Sequence, residues 1–168
     1  WGMSMKTLSV NELLSSTATG QEVTVNGWVK TFRSNRFIAL NDGSTLNNIQ
    51  CVVDFEKFDE DILKQVNTGA ALWIKGVLVE SQGRGQSVEI QVADIRIHGS
   101  ANPETYPIQP KKHSMEFLRE QAHLRVRTNT FAAVMRLRSA LAFAIHDYFQ
   151  KNGFYYMHAP IITGSDAE

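Results

Sequence analysis

The first half of the chain alternates apolar and polar residues with a period of two. Alternation at this period predicts β-strands that turn one face to a core and the other outward. Turn signals at 41–44 and 83–85 separate neighbouring runs. Five runs lie between residues 21 and 98, and their apolar residues are Val23, Val25 and Val29; Ile38 and Leu40; Ile49, Cys51 and Val53; Leu72, Ile74, Val77 and Val79, interrupted by Gly76; and Val88, Ile90 and Val92.

Apolar residues at helical spacing between 56 and 66 predict a helix between the third and fourth strands. Three strands, a helix and two further strands fit a mainly β fold, the five-stranded OB-fold barrel with an inserted helix, which binds oligonucleotides on its open face. Another small barrel with a helical plug fits the same order of elements, so both folds stay open at this point.

The second half of the chain has a different organisation. Three prolines between 103 and 110 indicate a hinge or linker. Apolar residues then recur with the 3.6-residue period of a helix, which Thr130 is placed to cap and Gly153 to end. Residues 154–158 are predicted to form a strand that stops at Pro160, and the state of 117–127 is left ambiguous. The helical stripe consists of Phe131, Val134, Met135, Leu141, Ile145, Tyr148 and Phe149.

Composition narrows the possible functions only slightly. The 17 basic and 17 acidic residues cancel, so any basic surface for nucleic acid must be local. The one cysteine, Cys51, excludes an internal disulfide, and its inward position favours a core residue over a nucleophile. No apolar run approaches the length of a membrane span, so we expect a cytoplasmic protein without a membrane partner. The histidines lack metal-ligand spacing, so we predict no metal site. Residues 83–85 lack the lysine of a P-loop and so do not indicate that phosphate-binding motif.

The outward face of the barrel carries the residue types that bind single-stranded nucleic acid. Alternation turns Phe37, Gln50 and Glu89 outward, with Lys30, Arg33 and Arg36 nearby. An aromatic ring stacks on a base, an amide hydrogen-bonds its edge and cations hold phosphate. By parity Arg33 belongs to the inward set of the first strand, so it faces outward only if that strand bulges or ends. The alternative is that Phe37 covers one end of the barrel and Gln50 is merely solvated.

The order Gly27-Trp28-Val29, Arg33, 37–44, Ile49-Gln50 resembles the anticodon-binding domain shared by aspartyl-, asparaginyl- and lysyl-tRNA synthetases. This resemblance implies that Phe37 stacks on the middle anticodon base, a uridine, and that Arg33 and Gln50 contact the same base. It implies that Glu89 lies near the outer anticodon positions. It also implies a bulge that turns Arg33 outward.

The second half distinguishes among the three synthetases. Residues 106–119 and 123–128 resemble the hinge of the asparaginyl enzymes, and the aspartyl and lysyl segment of the Arg-Tyr-Leu-Asp-Leu type is absent. The long helix, Gly153-Phe154 and Pro160 resemble motif 1 of class II synthetases. Motif 1 implies a homodimer interface, to which we assign Leu141, Ile145 and Pro160. We therefore expect an OB-fold domain at 1–102, a hinge at 103–116, and the beginning of an α+β catalytic domain at 117–168.

The resemblance implies an ATP-dependent ligase that charges tRNA-Asn, with this chain as its front part. The complete enzyme would use ATP and Mg²⁺. Motifs 2 and 3, which supply the arginines for ATP, are absent, so we propose no catalytic residue, no cofactor bound by this portion, and an inactive 168-residue chain. The alternatives are a stand-alone OB-fold RNA-binding module and a synthetase for aspartate or lysine. The unfinished second domain also predicts self-association through 131–160.

Overall fold

The barrel closes with five strands, as the alternation predicts. The computed structural model describes residues 7–165. The strands follow the spatial order β1-β2-β3-β5-β4, in which β3 and β5 are parallel and the other paired strands are antiparallel. Their bounds are β1 Glu22–Arg33, β2 Phe37–Asn41, β3 Ile49–Val52, β4 Ala71–Glu80 and β5 Val88–Gly99.

The core lies inside the barrel and contains most of the predicted inward residues. Ile38, Leu40, Ile49, Cys51 and Ile90 are all fully buried. Burial in this apolar surrounding raises the pKa of the Cys51 thiol well above its usual range, because the thiolate would lose its hydration. The core of this domain is therefore an apolar interior surrounded by the five strands.

A helix that the sequence analysis did not predict, α1 (Val10–Ser15), covers the barrel and adds Val10 and Leu13 to its core. Ser9 and Glu12 form a capping box, in which each side chain accepts a hydrogen bond from the other residue's backbone N–H. The β2–β3 loop contributes Asp42 as a further acceptor, for the N–H of Val10. The Ser-x-x-Glu spacing was the signal that could have revealed this helix.

The predicted helix at 56–66 is wrong in its extent. The segment forms a 3-10 helix at Phe55–Lys57 and one short α-helix, α2 (Glu60–Leu63). Phe58 between them has an extended backbone, and Asp59 accepts a hydrogen bond that starts a new helical turn. The apolar side chains pack on the barrel as helical spacing suggested, but two separate aspartate caps divide the helix.

The segment at 103–116 packs against the barrel. Ile108 is buried there, together with Leu118 of the following helix α3 (Met115–Glu120). Tyr106 lies against Gly69, where a Cβ atom would come within 2.5 Å of the tyrosine ring, so only glycine fits. The proposed domain limits at 102, 116 and 117 stay predictions, and residues 1–6 and 166–168 lie outside the described part.

The long helix α4 (Asn129–Lys151) follows a 3-10 turn at Arg125–Arg127. Its N-cap is Thr128, which accepts from the N–H of Phe131, and not Thr130 as expected. The helix ends as predicted, because Gly153 takes a positive φ of 83°. The N–H of Phe154 then bonds the carbonyl of Phe149, and the two rings meet at 5.4 Å, which completes a Schellman motif.

The strand predicted at 154–158 does not form. These residues have no regular secondary structure, and the side chains around them are highly exposed. A strand needs a partner for its N–H and C=O groups, and no described residue supplies one here. A run of apolar residues cannot show whether a neighbouring strand exists.

Candidate nucleic-acid interface

A bulge in β1 places Arg33 on the outward face, as the resemblance implied. Val29 pairs with Leu40, but Thr31 pairs with Ala39, so Lys30 is the extra residue on the bulged strand. The insertion reverses the parity of everything after it. Arg33 then pairs directly with Phe37 of β2, and its side chain is exposed. Residues directly opposite in an antiparallel pair share a face, so the cation and the ring lie on one surface.

The register between β2 and β3 brings Gln50 to the same surface. Ile38 pairs with Cys51, and both are buried, so Phe37 and Gln50 face outward one position to either side. Such diagonal neighbours lie roughly 7–8 Å apart, within reach of one nucleotide. We call the outward residues Arg33, Phe37, Gln50 and Glu89 the outer-face group.

The turn between β1 and β2 fixes the position of Arg33 and Phe37. Ser34 and Asn35 both have positive φ, 55° and 49°, and the three residues 34–36 connect the paired Arg33 and Phe37. The N–H of Arg36 bonds the carbonyl of Arg33 at 3.0 Å and closes the turn. The guanidinium of Arg36 lies 5.3 Å from the centre of the Phe37 ring, within cation–π distance. A half-buried ring flanked by a cation is well suited to stack on a base.

Glu89 has the predicted parity but is not freely exposed. Its side chain is only 7% exposed, between the core residues Val88 and Ile90 of β5. The Nε2 of Gln50 donates to its carboxylate at 2.9 Å, and the hydroxyl of Ser81 donates at 3.4 Å. In this structure Glu89 therefore contacts Gln50 and not solvent.

Gln86 is a residue that sequence reasoning missed. Its side-chain amide accepts from the backbone N–H of Gln50 at 3.3 Å and donates to the carbonyl of Asn48 at 2.6 Å. A side-chain amide thereby takes the place of a strand partner for the start of β3, where β5 pairs only from Cys51 onward. Gln86 lies in a turn without alternation, so no signal in the sequence pointed to it.

Lys30 does not join the cationic surface where the sequence analysis placed it. Its Nζ donates to the carbonyl of Arg127 at 2.7 Å and to Asn129 at 3.4 Å, at the start of α4. Burial and the charge of Arg127 both lower the pKa of Lys30. The bulge explains this outcome, because an extra residue in a strand has no fixed face. Lys30 therefore joins the barrel to the second half of the chain.

Neither a metal site nor a membrane-spanning helix is found in residues 7–165. They contain no group of three or more histidine, cysteine, aspartate or glutamate side chains that could hold a metal ion. Among the helices of the same residues, none is long and apolar enough to cross a membrane.

The fold and the outer face together define a class of protein. Residues 23–97 match the tRNA anticodon family, described as an OB-fold nucleic acid binding domain. The chain thus contains a nucleic-acid-binding OB-fold domain, and the other small barrel considered above is excluded.

More particularly, the chain is homologous to the asparagine–tRNA ligases. It is 55% identical to that of Parabacteroides distasonis over 167 residues, and 56% identical to that of Cytophaga hutchinsonii over 169 residues. Each alignment covers 98% of this chain and 36% of the relative, so the chain spans about a third of the length of these ligases. The predicted family is confirmed.

A solved structure shows the same fold at lower sequence identity. The asparaginyl-tRNA synthetase of Pyrococcus horikoshii superimposes with a TM-score of 0.80 at 20% identity, covering 95% of this chain and 39% of that one. The similarity covers nearly the whole of this chain and therefore concerns the fold of both its halves.

Proposed function

We propose that this chain supplies anticodon recognition to an ATP-dependent asparagine–tRNA ligase, and that its barrel binds the anticodon loop of tRNA-Asn through the outer-face group. One observation carries this proposal. The bulge in β1 and the β2–β3 register bring Arg33, Phe37 and Gln50 to one surface. A cation, a ring and an amide are what a single-stranded base needs for phosphate contact, stacking and edge recognition.

For the whole enzyme, the cofactor, location and assembly are inferred from the homologous ligases. The complete ligase would use ATP with Mg²⁺ and act in the cytoplasm as a homodimer, with Leu141, Ile145 and Pro160 in the interface. The exposure of Leu141 and Ile145, 53% and 57%, supports a partner surface at α4. Because the chain carries neither motif 2 nor motif 3, we propose that these 168 residues do not activate asparagine by themselves. Asparagine-dependent ATP–pyrophosphate exchange above background would contradict this.

The stacking role of Phe37 can be tested by RNA binding. We expect Phe37→Ala to weaken binding of an anticodon stem-loop with the asparagine anticodon by roughly tenfold or more, because a stacked base contributes ~1–3 kcal/mol. Fluorescence anisotropy at several salt concentrations measures the affinity and its salt dependence.

A second outward aromatic provides the matched control. Trp73 lies on the outer face of β4 with the guanidinium of Arg96 at 4.5 Å from its ring, so it reproduces the aromatic–cation pairing away from β2 and β3. Trp73→Ala should leave the affinity nearly unchanged. Equal losses for both variants, or no loss for Phe37→Ala, would remove the basis for placing the anticodon on this face.

A further inference from the structure

The hydrogen bond between Gln50 and Glu89 constrains the amide that is proposed to contact a base. Gln50 Nε2 donates to Glu89 Oε2 at 2.9 Å. Glu89 is 7% exposed and also accepts from the hydroxyl of Ser81. In the described part of the chain no group donates to the other amide atom, Oε1 of Gln50. One end of the amide is thus held by the barrel, and the other end is available.

The side-chain amide of glutamine can present its hydrogen-bond donor and acceptor to a base in either of two opposite arrangements. Its oxygen accepts and its nitrogen donates, and the two ends have nearly the same shape, so a half turn exchanges them. A carboxylate only accepts hydrogen bonds. Only the nitrogen of Gln50 can therefore face Glu89, because the oxygen there would set two acceptors against each other.

We propose that Glu89 is a positioning residue that fixes the amide of Gln50 with its oxygen available, and that this orientation makes the site select uracil over cytosine. The proposal rests on the proposed anticodon binding and specifies how one base is chosen. The available oxygen requires a donor on the base, and uracil carries an N–H at ring position N3. The amide nitrogen has a second N–H, which can donate to the adjacent uracil carbonyl.

Cytosine presents the inverse pattern at the same two positions. Its N3 is an acceptor and its exocyclic N4 is a donor, so a freely turning amide would bind it as well as uracil by a half turn. The held amide cannot make this turn without breaking its bond to Glu89 and leaving a buried carboxylate oxygen without that partner. Cytosine would then face the Gln50 oxygen with its own ring nitrogen, acceptor against acceptor.

Both ends of the arrangement are anchored to the barrel. Glu89 lies between the core residues Val88 and Ile90, and the backbone of Gln50 is held by the side chain of Gln86. A positioning role needs this rigidity, since a mobile carboxylate would follow the amide as it turns.

The test compares stem-loops with uridine or cytidine at the middle anticodon position, bound to the full 168-residue chain. The wild-type chain should prefer uridine by roughly tenfold or more, the range of a good two-bond base contact. Glu89→Gln keeps the shape but can accept or donate towards Gln50, so the preference should fall to about one. Glu89→Asp keeps a carboxylate and should keep most of the preference. Glu80→Gln, at the exposed end of β4, removes a charge nearby and should change nothing.

A coupling measurement separates positioning from a general loss of structure. In a Gln50→Ala background, Glu89→Gln should no longer affect the uridine preference, because the group that it orients is absent. Equal losses for both RNAs, or an unchanged preference in Glu89→Gln, would overturn the positioning role while leaving anticodon binding intact. Failure of the wild-type chain to bind either stem-loop would overturn the proposed function and this inference together.

Discussion

Two residues in the β1–β2 turn have a backbone conformation that side chains disfavour. Ser34 and Asn35 both have a positive φ, a backbone region that favours glycine over residues with a side chain. The turn separates Arg33 from Phe37, so its geometry determines how the cation approaches the ring. The chain thus keeps two side chains at positions where the backbone conformation alone would favour glycine.

This strain gives a prediction at the scale of one residue. Asn35→Gly should raise the free energy of unfolding of the barrel by about 0.5 kcal/mol, because the relief of left-handed strain exceeds the extra chain entropy of glycine. Asn47→Gly, an exposed loop residue without a positive φ, should lower it by a similar amount. Urea unfolding followed by tryptophan fluorescence measures both. A destabilised Asn35→Gly would show that the asparagine side chain contributes more than its strain costs.

Alternation along the strands predicted the orientation of some side chains of the outer face but not the position or exposure of others. Alternation put Phe37 outward because Ile38 and Leu40 of its strand are buried, and Gln50 outward because it lies between the buried Ile49 and Cys51. It could not place Lys30, since a bulge residue belongs to neither face, and only its contact with Arg127 decides its role. Alternation could not predict that Glu89 is buried, because the position of a residue in a strand gives the direction of its side chain and not the exposed fraction.

At the scale of elements, the strands were more predictable than the helices. A barrel strand shows its burial in every second residue, so five runs predicted a small five-stranded barrel, and the family resemblance was needed to choose the OB-fold among such barrels. The helix at 56–66 was predicted too long because the caps at Asp54 and Asp59 compete with helical spacing. The strand at 154–158 failed for a different reason, since pairing depends on a distant part of a chain.

The connection between the barrel and α4 depends on a small number of polar contacts. Lys30 bonds the carbonyl of Arg127, whose guanidinium lies 4.3 Å from the Trp28 ring, and Arg136 of α4 donates to the carbonyl of Gly43. These contacts join β1 and the β2–β3 loop to the beginning of the long helix. The orientation of the two parts therefore depends on a lysine whose burial is unfavourable by itself.

Lys30→Met should loosen this connection without unfolding the barrel. Methionine keeps an apolar stem of similar length but loses the bonds to Arg127 and Asn129, and removing a partly buried charge costs little stability. Spin labels at Gln82→Cys and Gln150→Cys, diluted with unlabelled chain, should show a broader distance distribution. Lys75→Met removes a surface ion pair with Glu22 and serves as the control. Identical distributions in both variants would mean that Lys30 does not set the orientation.

For the molecule as a whole, the surface of α4 is unusually apolar. None of its residues is buried, and Leu137, Leu141, Phe143, Ile145 and Tyr148 are each more than half exposed. The segment after it adds Tyr155, Ile161 and Ile162, exposed by 88%, 93% and 92%. Covering such surface is favourable by ~25 cal/mol per Å², so the chain on its own should associate with further copies.

Leu141→Glu with Ile145→Glu should convert this assembly to a smaller species while the barrel stays folded. Charges on the exposed stripe would oppose its burial between copies, and neither residue contributes to the barrel core. Sedimentation velocity gives the size, and urea unfolding checks the barrel. Arg138→Glu with Gln150→Glu adds acidic groups to exposed polar positions of the same helix and should leave more of the assembly intact. A wild-type chain that sediments as a monomer at high concentration would contradict the proposed interface.

The reaction rate of the buried Cys51 thiol can report how often the barrel opens. A thiol reacts as the thiolate, and in the folded barrel this form is both inaccessible and strongly disfavoured. Cys51 lies in β3, which pairs with β2 on one side and with β5 on the other, so an alkylating reagent reaches it only after the cylinder has opened. The alkylation rate of Cys51 therefore reports how often the barrel opens. Slower alkylation in the presence of RNA would show that a bound ligand stabilises the pairing of the strands.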